Sequence, residues 1–233
     1  MIIEIPDLLS ADQITQLKAL FEKAKQQDGK LSAGPAAVAV KNNQEIAPTT
    51  DEHAQMVAIV QNALAQNSHL ENIVKPIAST IPMFAKYTKG MFYGEHLDIA
   101  ITNFGNNPLS PIFPGRFRSD VSASIFLNGP EDYDGGELVV QTPAGTRGVK
   151  GQAGSMVTYP SGYVHSISEV TRGERLVVVL WFQSYFRDPE QRDMLYKLMN
   201  AAGNLMGRYP DDPDVKTINY LYNNLVRNWG DSG

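Results

Sequence analysis

The sequence contains no cysteine, and this absence excludes disulfide frameworks, thiolate zinc sites and cysteine nucleophiles. No apolar run approaches the roughly 20 residues that a membrane-spanning helix needs, and the first residues lack the basic start of a signal peptide. We therefore expect a cytoplasmic location and no membrane partner. Basic side chains are few, 20 Lys and Arg against 25 Asp and Glu, so a nucleic-acid partner is not expected.

The 233 residues, 42% of them hydrophobic, fit one domain, or one domain with a helical appendage. Helical spacing of apolar residues predicts helices over 11–26, behind a Ser-x-x-Gln capping box, and over 51–66. Asp-Pro pairs at Asp188 and Asp212 each cap a further helix. A short apolar run among turn residues in 28–50 predicts a single short strand with flexible flanks. Short apolar segments separated by turn residues predict the strands of a β sandwich or barrel, at 81–87, 91–101, 120–127, 137–141, 154–159 and 175–184.

A histidine and an aspartate lie one residue apart in an apolar setting, at His96 and Asp98. In a continuous strand the two side chains share one face, within reach of a single metal ion. Of the other histidines, His165 is best placed to be a third ligand, since it enters another apolar stretch, whereas His53 and His69 fit a solvated surface. Two histidines and one carboxylate form the facial triad of non-haem iron(II) oxygenases. The alternative is a structural hydrogen bond between His96 and Asp98, and the motif by itself does not decide.

A second unusual residue is Arg175, which begins a strand that is apolar on both faces. Alternation places it on one face with Val177, Val179 and Trp181, while Glu174 points to the other side. A buried guanidinium is costly unless an anion matches it. An incoming dicarboxylate ligand would supply that anion. The alternative is an arginine that reaches solvent or pairs with a distant aspartate.

Taken together, these segments resemble the iron(II)/2-oxoglutarate-dependent dioxygenases of the prolyl-4-hydroxylase-like branch. They resemble in particular the bacterial PKHD-type hydroxylases, a group that includes proteins associated with iron uptake. The resemblance covers nearly the whole chain. Its characteristic segments are KYTKGMFYGEHLD (86–98), SDVSASIFLN (119–128), EDYDGGEL (131–138) and GSMVTYPSGYVHSISEVTRGERLVVVLWFQSYFRD (154–188).

By this resemblance, His96, Asp98 and His165 match the iron ligands. Arg175 matches the basic residue that binds the distal carboxylate of 2-oxoglutarate, and Tyr87 matches a tyrosine that often reaches this co-substrate. One position departs from the pattern.

Where some relatives carry a tyrosine that helps to bind the distal carboxylate, this chain has Phe126, without a hydroxyl. The second anchor for 2-oxoglutarate is therefore open, with Tyr87 or Ser124 as replacements. The Asp-Gly-Gly-Glu turn at 134–137 is interpreted as structural, because its glycines permit positive φ angles.

The resemblance implies a mainly β fold with flanking helices (α+β), built on a double-stranded β-helix, or jelly roll. It divides the chain into an oxygenase domain with N-terminal helices, residues 1–187, and a C-terminal helical extension, residues 188–233. The implied cofactors are Fe(2+), 2-oxoglutarate and O2, with L-ascorbate as an additional option. The implied reaction couples decarboxylation of 2-oxoglutarate to succinate and CO2 with hydroxylation of a protein side chain or small molecule. The apolar C-terminal helices leave a homo-oligomer open.

The Pro- and Gly-rich segment 102–118 is the expected substrate lid, with Arg116 and Arg118 facing an anionic substrate or simply solvent. Trp181 and Phe182 are expected to pack in the core. Two further functions stay open: a cupin-like metal dioxygenase or isomerase without 2-oxoglutarate, in which Arg175 is paired internally, and a non-catalytic jelly roll that binds a ligand. A zinc hydrolase is disfavoured because the chain has no HExxH helix.

Overall fold

The computed structural model describes residues 1–102 and 116–230. In this part of the chain the helices are α1 (Ala11–Lys23), α2 (Asp51–Gln66), α3 (Ser68–Val74), α4 (Pro189–Arg208) and α5 (Pro213–Trp229). The strands are β1 (Ile3–Ile5), β2 (Gln26–Asp28), β3 (Lys41–Asn42), β4 (Gln44–Ile46), β5 (Pro76–Ser79), β6 (Met83–Thr88), β7 (Phe92–His96), β8 (Ile101–Thr102), β9 (Phe117–Arg118), β10 (Val121–Phe126), β11 (Tyr133–Gly135), β12 (Leu138–Thr142), β13 (Gly145–Val149), β14 (Met156–Pro160), β15 (His165–Ile167) and β16 (Val170–Ser184).

The caps predicted from the sequence start three of the helices. Ser10 and Gln13 form a reciprocal capping box at α1, in which each side chain accepts a hydrogen bond from the other's backbone amide. Asp188 and Asp212 cap α4 and α5, each followed by a proline in the first turn. Helix α1 ends at Lys23 rather than at residue 26, and the chain then enters β2.

The strands form two large antiparallel sheets and one small ribbon. The larger sheet has the order β1-β14-β10-β16-β6-β4-β2, with β5 and β11 also paired to β16. The smaller sheet has the order β13-β12-β15-β7-β3, and β8 pairs with β9. The mainly β architecture with flanking helices is therefore confirmed. The division of the chain at residue 188 stays a prediction.

Strand β16 shows how the layers are held together. Val178, Leu180 and Phe182 point to one face and pack in a core shared with helices α1, α2 and α3. Val177 and Val179 point to the opposite face, toward buried residues of the smaller sheet. Because successive side chains of a strand alternate, one apolar strand packs against both layers. The candidate site lies in the space between the two sheets.

Three sequence expectations need correction. Strand β7 ends at His96, so Asp98 follows the strand and does not share its face by simple alternation. His53, expected at the surface, is buried on α2 with its ring edge-on to Phe84, at 5.6 Å between centroids. The span 28–50 contains two whole strands, β3 and β4, and the last residue of β2, rather than a single strand. His69 is exposed, as expected.

Of the remaining sequence features, the glycine turn lies within the described residues and most of the expected lid lies outside them. Gly135 and Gly136 have φ angles of 70° and 61°, as the structural interpretation of their turn required. Residues 103–115, most of the segment expected to form a lid, lie outside the described residues. Across the described ranges, none of the helices is both long and apolar enough to cross a bilayer.

Candidate active site

The three side chains expected to bind a metal lie at one end of the space between the sheets. His96, the last residue of β7, is paired directly with His165, the first residue of β15, because the two strands are antiparallel neighbours. Their ring centroids are 4.3 Å apart. Asp98 brings its Oδ2 to 3.7 Å from Nε2 of His165. One ligand atom from each residue lies within 4.8 Å of the others, so a single ion can contact all three.

Backbone carbonyls fix the orientation of both imidazole rings. Nδ1 of His96 lies 2.8 Å from the carbonyl oxygen of Gly94, and Nδ1 of His165 lies 3.0 Å from that of Tyr163. A carbonyl can only accept, so Nδ1 carries the proton in each ring, and Nε2 keeps its lone pair. The Tyr93 ring stacks on His96 at 3.7 Å, with 13° between the ring planes.

The protonation state of His96 also suits metal binding. Burial, together with the nearby His165, lowers the pKa of His96 to about 4. The His96 ring is therefore neutral at physiological pH, which is the form of imidazole that coordinates metals.

Asp98 is oriented by Ser122, a residue of the larger sheet. Ser122 on β10 donates a hydrogen bond from its hydroxyl to Oδ2 of Asp98 at 2.5 Å. The Ser122 hydroxyl also lies 2.8 Å from the hydroxyl of Ser161. Although Asp98 lies beyond the end of β7, these contacts hold its carboxylate beside the two imidazoles. Oδ1 is then the carboxylate oxygen without this serine contact.

A cavity of about 190 Å³ is lined by His96, Asp98 and His165 and by residues of both sheets. Val177 and Val179 of the larger sheet and Leu138 and Ile167 of the smaller sheet supply apolar walls. The cavity also reaches Arg175 on β16. A single ligand in this cavity can therefore contact both the His–Asp–His group and the guanidinium.

Arg175 is the largest fully buried side chain among the described residues, at 1% exposure. Its Nε and Nη2 make no hydrogen bond to any residue of the described ranges. The neighbouring Glu174 points away and pairs with Lys86 at 2.8 Å. Aromatic rings flank the guanidinium, with Cζ at 5.1 Å from the Tyr87 centroid and 5.9 Å from that of Phe126. A buried cation with unmatched donors has the property expected of an anion-binding residue.

Tyr87 lies directly opposite Arg175 across the β6–β16 ladder. Burial raises the pKa of Tyr87 to about 12, against the opposing effects of Arg175 and of the Asn43 amide. The hydroxyl therefore stays protonated at physiological pH and can donate a hydrogen bond into the cavity.

Several residues in or beside the cavity carry no sequence signal that would have identified them. Lys41 and Glu45 form a buried ion pair at 2.5 Å in the cavity wall, within the span expected to hold one short strand. Asn43 lies between them in sequence. Ser122 acts through a contact that only the fold creates. Trp181, expected in the core, instead lines the cavity with its indole Nε1 unpartnered among the described residues.

The two arginines of the expected lid segment are described at its C-terminal end. Arg118 forms two hydrogen bonds to the carboxylate of Asp120, at 2.6 and 2.9 Å. Asp120 in turn accepts a hydrogen bond from the backbone amide of Ser184. These contacts give Arg118 a structural role in joining β9 to the end of β16. Arg116 is exposed.

Comparison with known proteins gives matches along the chain. A family model described as "2OG-Fe(II) oxygenase superfamily" matches residues 82–183, and one described as "PKHD-type hydroxylase C-terminal domain" matches residues 190–231. A PKHD-type hydroxylase of Beijerinckia indica is 36% identical, covering 99% of this chain and 100% of the relative. The PKHD-type hydroxylase YbiX of Escherichia coli is 35% identical, over 99% of this chain and 100% of the relative.

Solved structures also share the fold. A prolyl hydroxylase from Trichoplax adhaerens, in complex with a hypoxia inducible factor peptide fragment, has a TM-score of 0.52 at 18% identity. The match covers 83% of this chain and 86% of that one. A 2OG-Fe(II) oxygenase family oxidoreductase from Burkholderia pseudomallei has a TM-score of 0.51 at 15% identity, over 78% and 84% of the two chains. Both comparisons agree with a jelly-roll core.

Proposed function

We propose the following function for this chain, which belongs to the PKHD-type hydroxylase family within the 2OG-Fe(II) oxygenase superfamily. The chain is accordingly an oxidoreductase. We propose that it binds Fe(II) through His96, Asp98 and His165, and 2-oxoglutarate with the help of Arg175 and Tyr87. It would then couple decarboxylation of 2-oxoglutarate to hydroxylation of a C–H bond in its substrate.

The observation that carries this proposal is the unpartnered guanidinium of Arg175, which faces the same cavity as the His–Asp–His group. The donor set fits Fe(II), because two imidazoles and one carboxylate leave about three positions of an octahedral ion open. The cavity has a cation where a dicarboxylate needs one. A cupin-like enzyme without 2-oxoglutarate predicts an internally paired Arg175, and the unmatched Nε and Nη2 speak against it.

When bound, Fe(II), 2-oxoglutarate and O2 supply the oxidising chemistry, in which one oxygen atom enters the co-substrate to give succinate and the other enters the substrate. The residues of the chain prepare the site. The carbonyls of Gly94 and Tyr163 keep the Nε2 lone pairs of both histidines directed at the metal position. Ser122 holds Asp98 in place, and the apolar walls of the cavity exclude water.

For the substrate we propose only a class, which is a protein side chain or a small molecule that presents a C–H bond. A link to iron uptake, the use of L-ascorbate, a cytoplasmic location and a homo-oligomer formed through α4 and α5 belong to the same proposal. So do the lid role of residues 102–118 and the division into an oxygenase domain, 1–187, and a helical extension, 188–233.

The test is succinate formation from 2-oxoglutarate with added Fe(II), which in this class can proceed without the true substrate. We expect turnover by the wild type and at least a hundredfold loss in His165→Ala and Arg175→Ala, an order-of-magnitude figure for loss of a metal ligand or a charged anchor. The matched controls are His69→Ala and Arg172→Ala, which change exposed residues of the same types. If the metal-loaded wild type neither forms succinate nor binds 2-oxoglutarate, the proposal fails.

A further inference from the structure

Asn43 occupies the point where the chain crosses from one large sheet to the other. The preceding residue, Asn42, pairs with Phe92 in the smaller sheet, and the following residue, Gln44, pairs with Lys86 in the larger sheet. Because β4 and β6 are antiparallel, the position beside Asn43 on β6 is Tyr87. The backbone at Asn43 thus closes one side of the cavity, and its side chain lines that cavity.

Asn43, Tyr87 and Arg175 fall in one row across the larger sheet, since Tyr87 is paired with Arg175. Ser124, the other replacement anchor considered from the sequence, is paired with Val179, four residues further along β16 than Arg175. Four residues of extended strand span roughly 13 Å. Asn43 therefore lies at the level of the guanidinium, and Ser124 does not.

The side-chain amide of Asn43 is buried without a partner. Its exposed fraction is 4%. The amide lies near enough to the Tyr87 hydroxyl to lower the pKa of that phenol, but neither Nδ2 nor Oδ1 makes a hydrogen bond of ordinary geometry to any residue of the described ranges. Buried polar atoms are nearly always hydrogen-bonded in folded proteins, so an unpaired amide aimed into a cavity indicates a bound group that pairs with it. Arg175 has two unpaired donors in the same row.

Gly29 fixes the orientation of this amide. A Cβ at Gly29 would lie 1.9 Å from Oδ1 and 2.8 Å from Cγ of Asn43, so the carbonyl end of the amide occupies the space that a side chain at position 29 would fill. The backbone amide of Gly29 also donates to the backbone carbonyl of Asn43 at 3.0 Å. With Oδ1 against Gly29, the Nδ2 end is the donor left for the cavity.

We propose that Asn43 is a co-substrate-binding residue whose Nδ2 donates a hydrogen bond to the distal carboxylate of 2-oxoglutarate, beside Arg175 and Tyr87. This inference rests on the proposed function and deepens it. A carboxylate has two oxygens with about four acceptor positions, enough for the guanidinium, a phenol hydroxyl and an amide together. Asn43 thereby supplies the second anchor that Phe126 cannot provide.

The test compares 2-oxoglutarate with 2-oxobutyrate, which keeps the 2-oxo acid end but lacks the distal carboxylate. Each is titrated calorimetrically into Fe(II)-loaded protein without oxygen, so the readout is a dissociation constant and not turnover. For Asn43→Leu we expect affinity for 2-oxoglutarate to fall by about tenfold or more, the order of one hydrogen bond to a charged group. Affinity for 2-oxobutyrate should stay within about twofold of wild type, since no contact to it is lost.

Two further variants are needed in case Asn43→Leu does not fold. One is a second test of the same contact, and the other is a control. Gly29→Ala leaves Asn43 in the chain but places a methyl group on its Oδ1, so it should lower the affinity for 2-oxoglutarate and spare 2-oxobutyrate. Asn42→Leu changes the exposed neighbouring asparagine and should alter neither affinity.

The assignment of Asn43 is overturned if Asn43→Leu and Gly29→Ala bind 2-oxoglutarate as the wild type does, or if both ligands lose affinity equally. In either case the wild type still binds 2-oxoglutarate and the proposed function stands. If the metal-loaded wild type itself fails to bind 2-oxoglutarate, the proposed function falls and this assignment falls with it.

Discussion

Replacing Arg175 with methionine should raise the stability of the ligand-free protein while abolishing tight binding of 2-oxoglutarate. Methionine keeps most of the length of the side chain and removes its charge. Leaving buried donors of a charged group unmatched costs at least about 1–3 kcal/mol, and the flanking rings of Tyr87 and Phe126 return about 1 kcal/mol. The balance predicts that Arg175→Met is more stable by about 1 kcal/mol, or roughly 2–4 °C in Tm for a chain of this size.

The same substitution should weaken the binding of 2-oxoglutarate, although it stabilises the ligand-free protein. Hydrogen bonds to charged groups contribute about 1.5–3 kcal/mol each. Loss of the contacts from Nε and Nη2 should therefore weaken 2-oxoglutarate binding by at least about a hundredfold, equivalent to about 3 kcal/mol.

Thermal unfolding with metal chelated, followed by titration of 2-oxoglutarate into the metal-loaded protein, measures both effects. Arg172→Met is the matched control, because Arg172 lies on the same strand but is exposed and paired with Asp134 at 2.7 Å. It should change neither Tm nor affinity appreciably. If Arg175 instead had a structural anionic partner, its removal would destabilise the protein by about 3–5 kcal/mol. A clear fall in Tm for Arg175→Met would therefore refute the reasoning.

Two other predictions concern Asp98 and His53. Ser122→Ala removes the hydrogen bond to Asp98 and should weaken Fe(II) binding by about 10–100-fold in an anaerobic titration. Ser161→Ala keeps that bond and should bind Fe(II) nearly as wild type does; equal affinities in the two variants would contradict the role of Ser122. Burial lowers the pKa of His53 below its ordinary 6.5, so its stabilising contribution is present above pH 6.5 and is lost as the pH falls below it. In urea unfolding between pH 8 and 5, His53→Asn should show a smaller loss of stability on acidification than wild type, and an unchanged slope would count against this account.

Local sequence signals predicted the elements whose causes are local. The caps at Ser10, Asp188 and Asp212 depend on residues within one turn, and each starts a helix where the sequence indicated. The alternation along β16 likewise follows from strand geometry and placed Arg175 on the inner face. The end of β7 at His96 was missed, because no residue in the sequence marks where strand pairing stops.

Burial was harder to predict where it depends on a distant partner. His53 lies three residues before Met56, on the apolar face of α2, but its polar side chain was assigned to the surface, and only the packing of Phe84 against it shows that it is buried. Nothing in the local sequence marks Lys41 and Glu45 as buried. They are buried together because their segment pairs with strands of both sheets. Trp181 was assigned to the core because its strand is apolar, although its face of the strand lines the cavity.

The sequence by itself determined the donor types. The His-x-Asp pair, His165 and the arginine ten residues later provide two imidazoles, a carboxylate and a guanidinium, and the similarity to relatives shows that the chain belongs to the PKHD-type hydroxylases. Tertiary structure decided the distances: the pairing of β7 with β15 brings His96 to His165, and Ser122 holds Asp98 beside them. It also decided that the crossing of the chain between sheets buries Asn43 at the level of Arg175. The reason is physical, since ligand identity depends on side-chain chemistry, whereas position depends on strand pairing between residues far apart in the chain.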